Sequence, residues 1–139
     1  MNNIVLPKLS YKVMGALFKV QNELGSSLLE KYYQRAIEEE LKTQELSFKR
    51  EVPVALQYQG KSIGRYFIDF LVEDLIILEV KAQQHYSPKF FKQALSYLVE
   101  TNKPLAIIVN FKGTNLRFKR IVNSNFKQID LSEKDNEFE

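Results

Sequence analysis

Two charged residues stand where this sequence is otherwise apolar. Glu79 directly follows the four apolar residues 75–78, and Lys81 comes two positions later. Because alternate residues of a strand point to one side, Glu79 and Lys81 share a face. A buried carboxylate needs a partner or a metal ion to offset its lost hydration. Taken alone, the pair is also compatible with a plain structural ion pair.

A second acid, Asp69, lies inside the apolar run 66–72, and the hairpin that follows brings it beside Glu79. Two carboxylates and an ammonium at the centre of a sheet form a hard oxygen site that suits Mg²⁺ or Mn²⁺. A metal ion there would polarise a phosphate oxygen and activate water. Lys81 would orient that water or stabilise developing negative charge.

The hairpin register decides whether these two acids meet. A two-residue turn after Val72 would place Asp69 opposite Leu78, on the wrong face of the sheet. A three-residue turn at 73–75 pairs Asp69 with Glu79, and a single bulge has the same effect. We predict one of these two irregularities.

Three further side chains are candidates for the same site. Glu30 shares a helix face with Tyr33 and the apolar residues that should pack on the sheet, although an acid near a helix N-terminus is also favoured by the helix dipole. Gln93 and Tyr97 lie one turn apart on a later helix and could contact a phosphate or a metal-bound water, or be merely exposed and half-buried. The single histidine, His85, is interpreted as a surface residue.

Periodicity and turn residues predict the elements that position these side chains. Helices are expected at 10–24, with Ser10 as N-cap, at 28–44, and at 87–101, with Phe91, Ala94, Leu95 and Leu98 inward. Strands are expected at 48–58, 63–72, 75–82 and 104–111, and a last strand or helix at 116–122. Pro53 places the first strand at an edge or a bulge.

This order predicts an α/β fold with a mixed sheet flanked by helices. The first three strands can form an antiparallel meander, and the 87–101 helix is long enough for a crossover to a parallel strand. We expect one domain over 1–123 and a flexible acidic tail over 124–139.

Charge is unevenly distributed, and this favours a polyanionic partner. Residues 130–139 carry five acids and one base, whereas residues 1–129 carry 19 bases and 12 acids. A nucleic acid, with DNA as the first expectation, fits such a basic body. The pool for a phosphate-binding surface is Lys12, Lys19, Lys49, Arg50, Arg65, Lys89, Lys92, Lys112, Arg117, Lys119 and Arg120.

Other classes of protein are disfavoured by the composition. The chain contains no cysteine, so disulfide frameworks and thiolate metal sites are excluded. The first ten residues lack a secretory leader pattern, and no apolar run is long enough to span a membrane. We therefore expect a cytoplasmic protein.

Taken together, these residues resemble the GxxExxY proteins of the PD-(D/E)XK nuclease superfamily. The similarity covers roughly 10–122 and is carried by Leu24-Gly25, Leu28-Leu29-Glu30, Tyr33, Asp69, Glu79-Val80-Lys81, Gln93 and Tyr97-Leu98. In the GxxExxY motif that gives these proteins their name, the position of the first glycine is occupied by Ser27 here.

The resemblance implies a restriction-endonuclease-like αβββαβ core and phosphodiester hydrolysis in DNA or RNA. It implies that Asp69, Glu79 and the Val80 carbonyl bind Mg²⁺ or Mn²⁺, with Lys81 as the catalytic lysine. Glu30, Gln93 and Tyr97 would complete the catalytic set.

Two alternatives remain on the same fold. One is a nucleic-acid-binding module without catalysis, and the other is an interaction or structural protein. A homodimer would allow two sites to cut two strands together and stays open.

Overall fold

The described part of the chain, residues 5–85, 87–126 and 131–139 of a computed structural model, contains four helices and five strands. The helices are α1 (Pro7–Leu24), α2 (Glu30–Thr43), α3 (Lys89–Thr101) and α4 (Leu131–Asn136). The strands are β1 (Phe48–Tyr58), β2 (Lys61–Val72), β3 (Ile76–Lys81), β4 (Leu105–Asn110) and β5 (Arg117–Val122). Among these helices none is both long and apolar enough to cross a membrane.

The five strands form one mixed sheet in the order β1-β2-β3-β4-β5. β1, β2 and β3 are an antiparallel meander, and α3 crosses over so that β4 returns parallel to β3. β5 then pairs antiparallel with β4. The predicted meander, the parallel return and the α/β class are confirmed.

Helices cover the sheet on both faces. α1 and α2 pack on one face against residues such as Phe70, Leu78 and Val109, and α3 packs on the other against Ile77 and Ile108. All six residues of β4 are buried. This agrees with the rule that a continuous apolar run marks a strand covered on both faces.

The hairpin between β2 and β3 has the register that the site requires. Val72 pairs with Ile76 and Phe70 with Leu78, so the connection spans the three residues 73–75. Two of these, Glu73 and Asp74, have φ angles of 52° and 58°. The predicted three-residue turn is confirmed, and its continuation sets Asp69 opposite Glu79.

β1 lies at the edge of the sheet, as Pro53 predicted. The β1–β2 register shifts between Leu56 and Gln57, an irregularity that the sequence analysis did not predict. A tight turn at Gln59 and Gly60 joins the two strands, with φ angles of 50° and 79°.

The first helix begins earlier than predicted. α1 begins at Pro7, because proline is favoured at the first helical position, where no N–H donor is needed. The Asp135 carboxylate accepts hydrogen bonds from the backbone N–H groups of Lys8 and Leu9 at 2.9 and 2.8 Å. The prediction of Ser10 as N-cap is therefore wrong: a cap 126 residues away replaces it.

The residue that caps α1 belongs to the segment for which the sequence predicted a flexible tail. Leu131–Asn136 form α4, and Asp135 is buried against the start of α1. The division into a body over 1–123 and a tail over 124–139 stays a prediction, with a packed helix now assigned to part of that tail.

The inward face of α3 differs from the predicted one. Ala94 and Leu98 are buried as expected, but Phe90 and Tyr97 join them, whereas Leu95 is 46% exposed. α3 begins at Lys89, and the Ser87 hydroxyl just before it accepts a hydrogen bond from the Lys89 N–H at 3.3 Å. The correction matters for function, since it turns Tyr97 inward.

Candidate active site

β2 and β3 separate just where their two acidic residues meet. Their ladder ends at the pair Phe70–Leu78, and beyond it side chains replace backbone partners. The Asp69 N–H donates to Glu79 Oε2 at 3.0 Å, and the Val80 N–H donates to Asp69 Oδ2 at 2.7 Å. Each carboxylate thus satisfies a backbone donor left free by the separation, and the two converge as the sequence predicted.

Burial of Glu79 beside Asp69 strongly disfavours its charged form. The residue is only 7% exposed. Burial, then the negative charge of Asp69, raises the pKa of Glu79 to about 9, and a hydrogen bond with the Asp69 side chain adds to this. The Asp69 N–H and the positive charge of Lys81 act in the opposite direction. At neutral pH the pair therefore retains a proton unless a cation neutralises it.

Lys81 lies on the same strand two residues beyond Glu79. Its ammonium group is 4.6 Å from the centre of the Phe90 ring on α3. It is near enough to lower the pKa of Glu79 and Glu30, yet it forms no ion pair within the described residues. Lys81 is thus close enough to interact with the acids electrostatically, but within the described residues it is not directly paired with either of them.

Glu30 is the first residue of α2, which packs on the face of the sheet opposite α3, and it approaches the same site from that side. Burial and the charge of Asp69 raise its pKa, whereas Lys81 and the Ala82 N–H lower it. The predicted packing face of α2 is correct, because Tyr33 and Ile37 on the same side are fully buried. The structure therefore places Glu30 close enough to Asp69 and Lys81 for their charges to interact.

Tyr33 fixes the turn that precedes Glu30. Its hydroxyl donates to the Gly25 carbonyl at 2.6 Å and accepts from the Leu28 N–H at 3.2 Å. Its ring stacks on Phe111, with centroids 4.3 Å apart and planes 8° from parallel. Tyr33 thus holds the α1–α2 connection against the sheet, and this sets where α2 begins.

Sequence analysis missed the role of Arg50. Its guanidinium lies 4.4 Å from the centre of the Phe70 ring and donates to the Asp69 carbonyl at 3.2 Å. It also donates to Glu38 Oε1 at 3.1 Å and Gln34 Oε1 at 2.7 Å. These contacts join α2 to the strand that carries Asp69.

Gln34 extends this network to the site, because its amide donates to Glu30 Oε1 at 3.4 Å. The sequence predicts Arg50 as part of the phosphate-binding pool, but in the structure its guanidinium donates hydrogen bonds to groups of the protein itself. The sequence feature that could have indicated this network is the i, i+4 spacing of Glu30 and Gln34, which puts both on one helix face.

Of the two accessory residues predicted on α3, Tyr97 lies at the site. Burial, followed by the negative charge of Glu79, raises the pKa of Tyr97 to about 12. Its hydroxyl therefore remains protonated and can donate a hydrogen bond. Gln93 lies half-buried one turn earlier, and no described hydrogen bond joins it to the carboxylates. His85 is exposed in the loop after β3, as predicted.

Asn110 is a second residue that sequence analysis missed. It is fully buried at the end of β4, beside Lys81 in the parallel ladder. Its side chain accepts from the Gln83 and Lys112 N–H groups at 3.1 Å and donates to the Gln83 carbonyl at 2.9 Å. Asn110 thereby fixes the chain that leaves Lys81. A polar residue ending an apolar strand was the signal.

Comparison with known proteins agrees with this geometry. The profile of the PD-(D/E)XK nuclease superfamily matches residues 7–121. The chain belongs to the PD-(D/E)XK nuclease superfamily. No curated protein matches it. The solved structure titled "Crystal structure of SSO0001" is similar in fold, with a TM-score of 0.52 and 18% identity over 96% of this chain and 70% of that one.

PD-(D/E)XK nucleases typically use divalent metals, and the residues here fit one. Asp69 and Glu79 offer carboxylate oxygens, and burial together with the charge of Asp69 raises the pKa of Glu79, so a cation would stabilise the charged pair. Among the described residues no group of three or more acidic, histidine or cysteine side chains is gathered closely enough to bind a metal. Mg²⁺ accepts one or two carboxylates and keeps several waters, so two protein carboxylates suffice.

Proposed function

We propose that this PD-(D/E)XK protein is a metal-dependent nuclease that hydrolyses phosphodiester bonds in nucleic acid, with DNA as the first expectation. The crossed contacts between Asp69 and Glu79 carry the proposal. They hold the buried Glu79 and the half-buried Asp69 at one point where a strand pair opens, with Lys81 beside them. A structural ion pair would instead leave Lys81 bonded to one acid.

Asp69, Glu79 and the Val80 carbonyl would hold the Mg²⁺ or Mn²⁺ ion. When bound, it would supply Lewis-acid chemistry, polarising the phosphate and lowering the pKa of water. Lys81 keeps its ammonium free to orient water or to stabilise negative charge that develops on the phosphate.

The remaining residues orient the reactants. Glu30 faces the acids from α2 and can accept a hydrogen bond from the attacking water. Tyr97 stays protonated and can donate to a phosphate oxygen. Gln93, one turn away on α3, would contact the substrate once it is bound. Gly25, Glu30 and Tyr33 also support assignment to the GxxExxY group, from which Ser27 departs.

Cleavage assays test the proposal directly. The purified protein is incubated with Mg²⁺ or Mn²⁺ and labelled linear, single-stranded and branched DNAs and RNAs. We expect cleavage that requires the metal and falls by at least about a hundredfold in Glu79→Gln and in Lys81→Ala, as for loss of a group that stabilises transition-state charge.

Matched controls come from the same molecule. Glu100→Gln on α3 and Lys134→Ala on α4 change the same charges away from the site and should retain cleavage. Binding without cleavage, unchanged in Glu79→Gln and Lys81→Ala, would replace the nuclease by a nucleic-acid-binding module. Absence of binding to DNA and RNA at low salt would favour an interaction protein.

A further inference from the structure

The β1–β2 hairpin projects beyond the rest of the sheet. β3 pairs with β2 only at Phe70–Val72, so among the described residues no third strand pairs with the outer hairpin. Every residue from Ala55 to Phe67 is exposed, and we call this segment the arm. An isolated two-stranded ribbon is only marginally stable in water, so an exposed one of this length suggests a binding role.

Large apolar side chains occupy the arm despite its exposure. Tyr58 is 60% exposed, Ile63 62% and Phe67 50%, and Leu56 and Tyr66 are also open to solvent. Single exposed apolar residues are ordinary, but a cluster on one projecting ribbon marks an interaction surface.

The charges of the arm point to the nature of its partner. Residues 52–68 contain no acid and two bases, Lys61 and Arg65. The Arg65 guanidinium lies 5.3 Å from the centre of the Phe67 ring. Aromatic rings beside cations, without acids, form the kind of surface that stacks nucleobases and follows a phosphate backbone.

A second copy of the chain fits this surface less well. In a symmetric dimer the same patch meets itself, so Lys61 and Arg65 would face the identical cations of the partner. No acid within 52–68 could compensate.

The arm is also continuous with the candidate active site. The centre of its Tyr66 ring lies 6.0 Å from the centre of the Tyr97 ring. Tyr97 is the residue whose pKa is raised by burial and by the charge of Glu79. Two residues after Phe67, the same strand reaches Asp69. A strand of nucleic acid on the arm would therefore run towards the carboxylate pair.

We infer that the arm binds unpaired nucleotides. Tyr58 and Lys61 on one face of the ribbon, and Phe67 and Arg65 on the other, would stack on bases with their rings and contact phosphates with their cations. The preferred ligand is thus single-stranded nucleic acid, or the single-stranded part of a branched one. This inference deepens the proposed nuclease function and rests on it for the substrate class. Bases within a duplex are already stacked and would not offer their faces.

Binding assays test the arm without depending on cleavage. Wild type, Tyr58→Thr/Phe67→Thr and Lys61→Ala/Arg65→Ala are titrated with labelled single-stranded DNA, single-stranded RNA and duplex DNA, in EDTA. Threonine keeps the strand preference while removing the rings. We expect the aromatic variant to bind single strands at least about tenfold more weakly, since stacking on one base contributes about 1–3 kcal/mol. Its affinity for duplex DNA should change less than about twofold.

The charge variant has a separate signature. Loss of two phosphate contacts should reduce the slope of log K against log salt by about 1.4, or about 0.7 per contact on a single strand. Tyr11→Ala removes an 80% exposed tyrosine from α1 and should leave affinity and slope unchanged.

Replacing 57–63 by Asn-Gly in the Arg65→Ala/Phe67→Thr background removes all four proposed contacts and so tests the arm as a whole. Leu56 and Gly64 face each other in the register, so a two-residue turn can join them without altering the core. Circular dichroism confirms folding, and single-strand binding should fall by at least as much as in the aromatic variant.

Unchanged single-strand affinity in this folded variant would overturn the inference. A wild-type dimer that the variants convert to monomers in sedimentation experiments would assign the arm to a second copy and overturn it as well. Single-strand binding through the arm without cleavage would instead remove only the nuclease proposal.

Discussion

The β1–β2 hairpin contains two arginine–phenylalanine pairs that differ in every other respect. At its inner end Arg50 lies over Phe70, which is fully buried, and donates hydrogen bonds to three acceptors. At its outer end Arg65 lies over Phe67, which is half exposed. The same residue types thus hold the fold at one end and remain available to a ligand at the other, with Asp69 at the boundary.

The largest expected difference between the two ends concerns their phenylalanines. Phe70→Ala removes a ring from the core and should lower the free energy of unfolding by roughly 3–5 kcal/mol. Phe67→Ala removes an exposed ring and should lower it by less than about 1 kcal/mol. Urea denaturation followed by circular dichroism measures both. Similar losses in the two variants would show that the arm is part of the cooperative core.

The stability of the protein should depend on pH through Glu79, which lies beside Asp69 at the boundary between the two ends. A pKa of about 9 for Glu79, raised from 4.5, means that the unfolded chain releases this proton first. Without divalent cations the stability of the protein should therefore fall as pH rises from about 4.5 towards about 9. Glu79→Gln cannot ionise and should be more stable than wild type at pH 8, by on the order of 2 kcal/mol.

Urea titrations at several pH values in EDTA measure this difference. Glu100→Gln, which removes an exposed acid, serves as the control and should follow the wild-type curve. Identical pH dependence in Glu79→Gln and wild type would contradict the prediction.

The smallest effect separates the two arginines. Arg50→Lys keeps the charge but cannot reach the Asp69 carbonyl, Gln34 and Glu38 together, so it should cost about 1 kcal/mol of stability. Arg65→Lys should change stability by no more than about 0.5 kcal/mol. Thermal unfolding of both variants gives the comparison, and an equal effect would show that the inner contacts add nothing to folding.

Local sequence patterns predicted what depends on neighbouring residues. The antiparallel meander, the parallel return of β4 and an irregularity between β2 and β3 follow from period-two alternation, helix length and the need to keep Asp69 and Glu79 on one face. The proximity of Asp69, Glu79 and Lys81 was predictable because charges in apolar runs are rare.

Contacts between distant parts of the chain were not predictable in this way. The Asp135 cap on α1 and the Arg50 contacts to α2 depend on geometry that exists only once the layers have packed. The inward turn of Tyr97 depends similarly on how α3 is rotated against the sheet, and a shift of one residue changes which side chains face it.

The complete burial of β4 also has a consequence for synthesis and storage of the protein. Its six residues, Leu105–Asn110, combine high β-propensity with no charge, which is the composition of segments that self-associate into cross-β aggregates when exposed. Lys103 and Pro104 precede the strand and Lys112 follows it closely, and such flanking residues oppose aggregation. The strand that supports the candidate site is therefore also the part of the chain that most needs protection before folding is complete.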